Sequence, residues 1–146
     1  MNLQAILRVK GSAVHTIHPD ATLDDVVQKL VDRNCGSLVV CQPGGGGHGT
    51  MTGIITERDI LRACAARRGP LTELKVADVM TREVITGSPS DSIEDTMGLM
   101  TERRCRHLPI LEGDQLVGII SIGDVVKAHH DEVAMENHYL KSYIQS

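Results

Sequence analysis

Apolar and polar positions alternate along this chain in two recurring rhythms. From Thr22 onward, Leu23, Val26, Val27, Leu30 and Val31 return at the spacing of one helix face, which predicts an amphipathic helix. Thr22 is a good N-cap, and Asp25 three residues later completes a capping-box start. The rhythm then changes to two short apolar runs, SLVVC and GIIT, separated by turn residues, which predicts a hairpin of two strands. A second helix is expected from Asp59.

The same series recurs downstream. HPDATLDDVVQKLVDRNCGSLVVC (residues 18–41) aligns with SPSDSIEDTMGLMTERRCRHLPIL (residues 88–111) at an offset of 70. TGIITERDILRA (52–63) then aligns with VGIISIGDVVKA (117–128) at an offset of 65. Ser92 and Asp95 repeat the capping pattern, and Ile93, Met97 and Met100 repeat the stripe. Each copy reads as β-α-β-β-α. A unit of about 60 residues buries little surface alone, so the two are expected to share a core. The fold class is therefore α+β: two repeats related by a pseudo-twofold, followed by a C-terminal helix. The expected boundaries are 1–74 for the first repeat with its N-terminal segment, 75–129 for the second, and 130–146 for the helix. VADVMT (76–81) reads as a helical linker into the second copy, with LQAILR (3–8) its counterpart before the first.

The five-residue difference between the offsets falls in CQPGGGGHGTM (41–51). Gly44 and Gly49 have the G-x-x-x-x-G spacing of a phosphate loop. That loop, however, needs Lys and Ser or Thr next and then a helix, whereas Thr50, Met51 and a strand follow. The tract reads as an enlarged, exposed and mobile hairpin loop.

Composition narrows the function. The 146 residues include no Phe or Trp, and the only aromatics are Tyr139 and Tyr143. The core must be aliphatic, and any bound base would lie between aliphatic side chains. A net charge of −4 without a Lys/Arg run argues against nucleic acid. No apolar stretch reaches membrane-span length and the N-terminus lacks a signal-peptide core, so a cytoplasmic protein is expected. Cys35, Cys41, Cys64 and Cys105 form no C-x-x-C pair and read as buried small hydrophobes. The histidines show no metal-site spacing, so no metal is expected. On the terminal helix, Val133, Leu140 and Ile144, beside Met135, Tyr139 and Tyr143, form a broad apolar face that must pack within the chain or on a partner subunit.

The candidate chemistry sits where the second strand meets the second helix, at GIITERD and GIISIGD. Thr56 with Asp59, and Ser121 with Asp124, place a hydroxyl and a carboxylate at a helix start. Such a carboxylate can accept from both hydroxyls of a vicinal diol. The same spacing is also a capping box, and on spacing alone capping is the stronger reading. No nucleophile–base pair, carboxylate dyad or metal cluster suggests catalysis.

Together HPDATLDDVVQKL, NCGSLVV, GIITERDI, VMTREVIT, RHLPIL and GIISIGDVV resemble a tandem pair of CBS (cystathionine β-synthase) domains, a Bateman module, from about Leu3 to Ala128. The resemblance implies clefts between the repeats that bind AMP, ADP, ATP, NAD or S-adenosylmethionine, with AMP the leading candidate, and assembly as a homodimer. It implies ribose binding by Thr56, Asp59, Ser121 and Asp124, and phosphate binding by Arg106 and His107. Thr16, Ile17, Gly36, Ser37, Ile85 and Thr86 would line the adenine pocket. In the family the ribose pair of one repeat faces the phosphate-binding segment of the other. That arrangement favours the Thr56–Asp59 cleft for a nucleotide phosphate. The implied function is a regulatory module that senses an adenine nucleotide without turnover and acts on a client protein. The alternatives are a structural dimerisation module or an S-adenosylmethionine sensor.

Overall fold

The structure is a computed structural model that describes residues 1–11, 13–44 and 47–145, the last without its side chain. Its elements run α1 (Leu3–Lys10), β1 (Thr16–Ile17), α2 (Leu23–Arg33), β2 (Ser37–Gln42), β3 (Thr50–Thr56), α3 (Glu57–Ala65), α4 (Val76–Val79), α5 (Ile93–Glu102), β4 (His107–Glu112), β5 (Gln115–Ser121) and α6 (Ile122–Gln145). They form two compact units, one of Ala13–Val84 with Asp114–Leu116, the other of Met1–Ser12, Ile85–Gly113 and Val117–Ser146. Among the described residues no helix is long and apolar enough to cross a membrane.

In the first of these units β1 pairs parallel with β2, and β2 pairs antiparallel with β3. The α2 stripe buries Leu23, Val26 and Leu30 against Leu38, Val40 and Ile55. Val31, expected on that face, is instead 73% exposed, because the stripe narrows toward the helix end. Asn34 closes α2 in the left-handed conformation, with its amide bonded back to Leu30 and Val31. The β2–β3 pairing carries a bulge at which Thr52 is the extra residue, and its hydroxyl donates to the Val40 carbonyl.

The other unit places β4 and β5 beside α5 and α6. Its core is Leu3, Ile6, Leu7, Ile93, Met100, Leu108, Ile110, Ile120 and Val125. The counterpart of β1 is reduced here to a parallel bridge between Gly87 and Ile110. The expected C-terminal helix is present, as the far part of α6. The second helix of the repeat continues without a break from Ile122 to Gln145, since no glycine or proline interrupts it after Gly123. Along its far part Leu140 is 60% and Ile144 80% exposed.

The leading segments cross over. Helix α1 precedes the first repeat yet packs with the second, where Asn2 bridges to Ser92 and the Leu3 amide donates to Asp91. Helix α4 precedes the second repeat yet packs with the first, where Lys75 bridges to Thr22 and Val76 joins the core. This differs from the expected grouping of residues 1–74. The apolar faces of these short helices need burial, but nothing in their own sequence states which copy provides it.

The glycines of the two GII strings explain how the segments come so close. A Cβ on Gly53 would sit 2.7 Å from the Thr81 carbonyl oxygen. One on Gly118 would sit 2.5 Å from a Leu7 methyl. The hairpins differ as the offsets predict: Gly113 and Asp114 suffice to join β4 to β5, while residues 43–49 join β2 to β3. Gly44, Gly47 and His48 are exposed, and Gly45 and Gly46 of the glycine tract lie outside the described residues.

Candidate functional site

In the unit of Ala13–Val84, the end of β3 brings four expected residues together. Ser37 pairs directly with Thr56 across the sheet, and the Glu57 amide donates to the Gly36 carbonyl. Thr56 caps α3: its Oγ1 accepts from the Asp59 amide at 3.4 Å, while Asp59 Oδ2 accepts from the Thr56 amide at 2.9 Å. The Thr56 hydroxyl also donates to Oδ2 at 3.3 Å. Capping therefore occupies Oδ2. Among the described residues, Oδ1 accepts only a long 3.4 Å bond from the Thr81 hydroxyl. Thr81 is held there by paired backbone bonds to Ile54.

Asp59 is only 8% exposed, whereas Asp25, in the same kind of capping box at α2, lies exposed at the surface. A carboxylate that serves only as a cap gains nothing from burial, which removes it from water. Burial with one weakly engaged oxygen leaves a strong acceptor available to a hydroxyl-bearing ligand.

Thr16 and Ile17 pair with Val39 and Val40, farther along β2 from Ser37. They line an open cavity of about 630 Å³ together with Lys29, Gly44, Gly47 and His48. Lys29 reaches across it to donate to the Thr16 carbonyl. Thr56 and Asp59 do not line this cavity. The glycine loop, at the opposite end of the sheet from the carboxylate, thus shares a wall with Thr16 and Ile17, which pair with the middle of β2.

The other unit repeats the cap with different neighbours. The Asp124 amide donates to Ser121 Oγ at 3.1 Å, and Asp124 Oδ2 accepts from the Ser121 amide at 2.9 Å. The Ile122 amide donates to the Arg106 carbonyl, which ties the segment before β4 to the start of α6. Arg106 is exposed and His107 half-buried, opening β4 with its carbonyl accepting from the Cys105 thiol. Ile85 packs against the core beside half-buried Thr86. Here the acid meets a cation: Lys10 Nζ lies 2.6 Å from Asp124 Oδ2. Partial burial alone would raise the Asp124 pKa. The Lys10 hydrogen bond, the Ser121 amide and hydroxyl, and the ammonium charge outweigh it and hold the carboxyl below its ordinary value.

Thr81 and Lys10 are the two site residues that sequence reasoning missed. Thr81 lies 22 residues from Asp59 and Lys10 lies 114 from Asp124. The available signal was the glycine of each GII string, which announces a close approach without naming the segment that makes it. The cysteines also divide: Cys41 is buried, Cys35 and Cys105 are half-buried, and Cys64, expected to be buried, is exposed on the polar side of α3.

The CBS domain family matches residues 9–66 and 76–131. The CBS domain-containing protein CBSX3, mitochondrial, of Arabidopsis thaliana is 40% identical over 86% of this chain, which spans 61% of that relative's length. The crystal structure of the CBS-domain containing protein ATU1752 from Agrobacterium tumefaciens is similar with a TM-score of 0.80 at 34% identity, covering 88% of this chain and 92% of that one. The CBS domain pair of protein MJ0100, in complex with 5′-methylthioadenosine and S-adenosyl-L-methionine, shares the fold with a TM-score of 0.76 at 22% identity, covering 90% and 98%. Each matched segment contains one of the two copies found by self-comparison, and the chain belongs to the CBS domain family as a tandem pair of its domains.

Proposed function

We propose that this chain is a regulatory module that binds an adenosine-containing ligand without turning it over, AMP first and ADP, ATP or NAD next. The buried Asp59 carboxylate carries this reading. Its Oδ2 is committed to the helix cap, and among the described residues its Oδ1 is engaged only by the long bond from Thr81. That oxygen suits a ribose diol, with Gly36 and Ser37 beside it. The MJ0100 pair adds the point that this fold accommodates adenosine derivatives in another protein. Ser121 and Asp124 would serve the second repeat in the same way, and Arg106 and His107 would bind phosphate. Thr16, Ile17, Ile85 and Thr86 would supply aliphatic and backbone contacts to adenine.

Binding would be read out through a homodimer and a client protein in the cytoplasm. The exposed apolar residues of α6 suit a contact with a second copy.

Calorimetric titration with AMP, ATP, NAD and S-adenosylmethionine tests the reading. Saturable heat with one of them is expected, diminished by the loss of one site in Asp59→Ala and kept in Glu102→Ala, an exposed carboxylate at the end of α5. Failure of all four to bind would leave a structural dimerisation role, and steady ATP hydrolysis by pure protein would overturn the non-catalytic assignment.

A further inference from the structure

The two ribose-type carboxylates differ in one respect that capping does not require. Asp124 carries an ammonium, and Asp59 carries none among the described residues. We infer that Lys10 is a specificity-determining residue, one that makes the Ser121–Asp124 end select a diol bearing an anionic group, such as a nucleoside phosphate, over the neutral nucleoside. The inference rests on the diol-binding reading of this end and adds the ligand's charge to it.

Lys10 is well placed for this role. It is the last residue of α1, and the helix stops there because Gly11 follows at φ 93°, its amide bonded to the Leu7 carbonyl. Leu3, Ile6 and Leu7 anchor the helix in the core, so the position of Lys10 is fixed at its base. Its side chain is 36% exposed, which leaves the ammonium in contact with solvent. Oδ2 of Asp124 is filled by the Ser121 amide and by Lys10, while Oδ1 has no partner among the described residues.

An arriving diol therefore finds an acceptor whose charge is already compensated, which weakens what a neutral nucleoside gains. An ammonium has three donors and spends one on Asp124. The others are available to a phosphate or carboxylate carried by the same ligand, and such charge-assisted bonds are the stronger kind. The Arg106 carbonyl accepts from the Ile122 amide, which sets the backbone of a cationic residue at the start of α6. At the Asp59 end the equivalent neighbours are Gly36 and Ser37, without charge.

The test compares adenosine with AMP by calorimetry at low salt in full-length chains that all carry Asp59→Ala, so that the Ser121–Asp124 end is read by itself: a parent with Lys10, Lys10→Met and Lys10→Arg. The parent is expected to favour AMP. Lys10→Met should weaken AMP by about tenfold, the loss of one charge-assisted bond, while leaving adenosine unchanged or tighter. Lys10→Arg should restore the preference. If Lys10→Met binds AMP as the parent does, or loses both ligands equally, Lys10 does not set specificity, although the nucleotide reading stands. If the parent binds neither ligand while wild type binds AMP, this inference falls alone; if wild type binds neither, the nucleotide reading falls and this inference falls with it.

Discussion

Two ends of this molecule begin from one string, G-apolar-apolar-T/S-x-x-D, and finish with different electrostatics. At the Thr56–Asp59 end the acid is 8% exposed and meets a hydroxyl from Thr81. At the Ser121–Asp124 end the acid's side chain is 29% exposed and meets the Lys10 ammonium. Local sequence makes the cap in both places. What separates them is the segment laid against each GII strand: Met80 and Thr81 after α4 in one unit, the residues of α1 in the other. A repeat can thus keep its motif and still diversify, by changing what is packed over it.

The largest test of this comparison uses the paired glycines. Gly53→Ala would drive a methyl into the backbone oxygen of Thr81, which cannot swing away. We expect a loss of about 1–3 kcal/mol in urea unfolding, the usual cost of overpacking. Gly118→Ala meets only the end of the Leu7 side chain. A rotamer change relieves it, and the stiffer unfolded chain offsets about 0.4–1 kcal/mol, so the net effect should be small. Equal losses at both positions would remove the distinction between a rigid and a yielding neighbour.

The caps come next. Thr56→Ala and Ser121→Ala each strip the acceptor from an Asp amide, and cap losses run about 0.5–2 kcal/mol. Thr56→Ala should fall at the upper end, because its hydroxyl also donates to the buried Asp59 carboxylate. Thr56→Ser should recover most of the stability. A Ser121→Ala loss as large as that of Thr56→Ala would show that burial adds nothing to the first cap.

These contrasts mark what could be read in the chain beforehand. The two copies, their hairpins and the four cap residues follow from short-range signals: apolar period, N-cap chemistry, and offsets that differ by the length of one loop. The counterpart relation of LQAILR and VADVMT was legible too. Their exchange between copies was not, since either apolar face fits either core. Thr81 and Lys10 escaped for the same reason: each reaches its acid only through that exchange. Val31 escaped differently, as its place in an apolar stripe says nothing about where the neighbouring layer ends.

The smallest predicted effect isolates Lys10. The folded state holds the Asp124 carboxyl below its ordinary value. The unfolded chain therefore takes up the proton first as pH falls. The stability this carboxylate contributes is complete above the ordinary carboxylate range and disappears as pH drops through the lowered folded value. Lys10→Met removes the ammonium and its hydrogen bond but keeps the Ser121 amide and hydroxyl. Part of the lowering is lost while burial still opposes it. At neutral pH the variant should lose no more than about 1 kcal/mol, the range for exposed ion pairs. The gap to wild type should close as acid protonates Asp124 in both, and urea midpoints measured from neutral pH downward will follow it. The matching position in the other unit has no ammonium to remove, so a gap that persists unchanged into strong acid would mean that Lys10 stabilises α1 by its stem rather than by its charge.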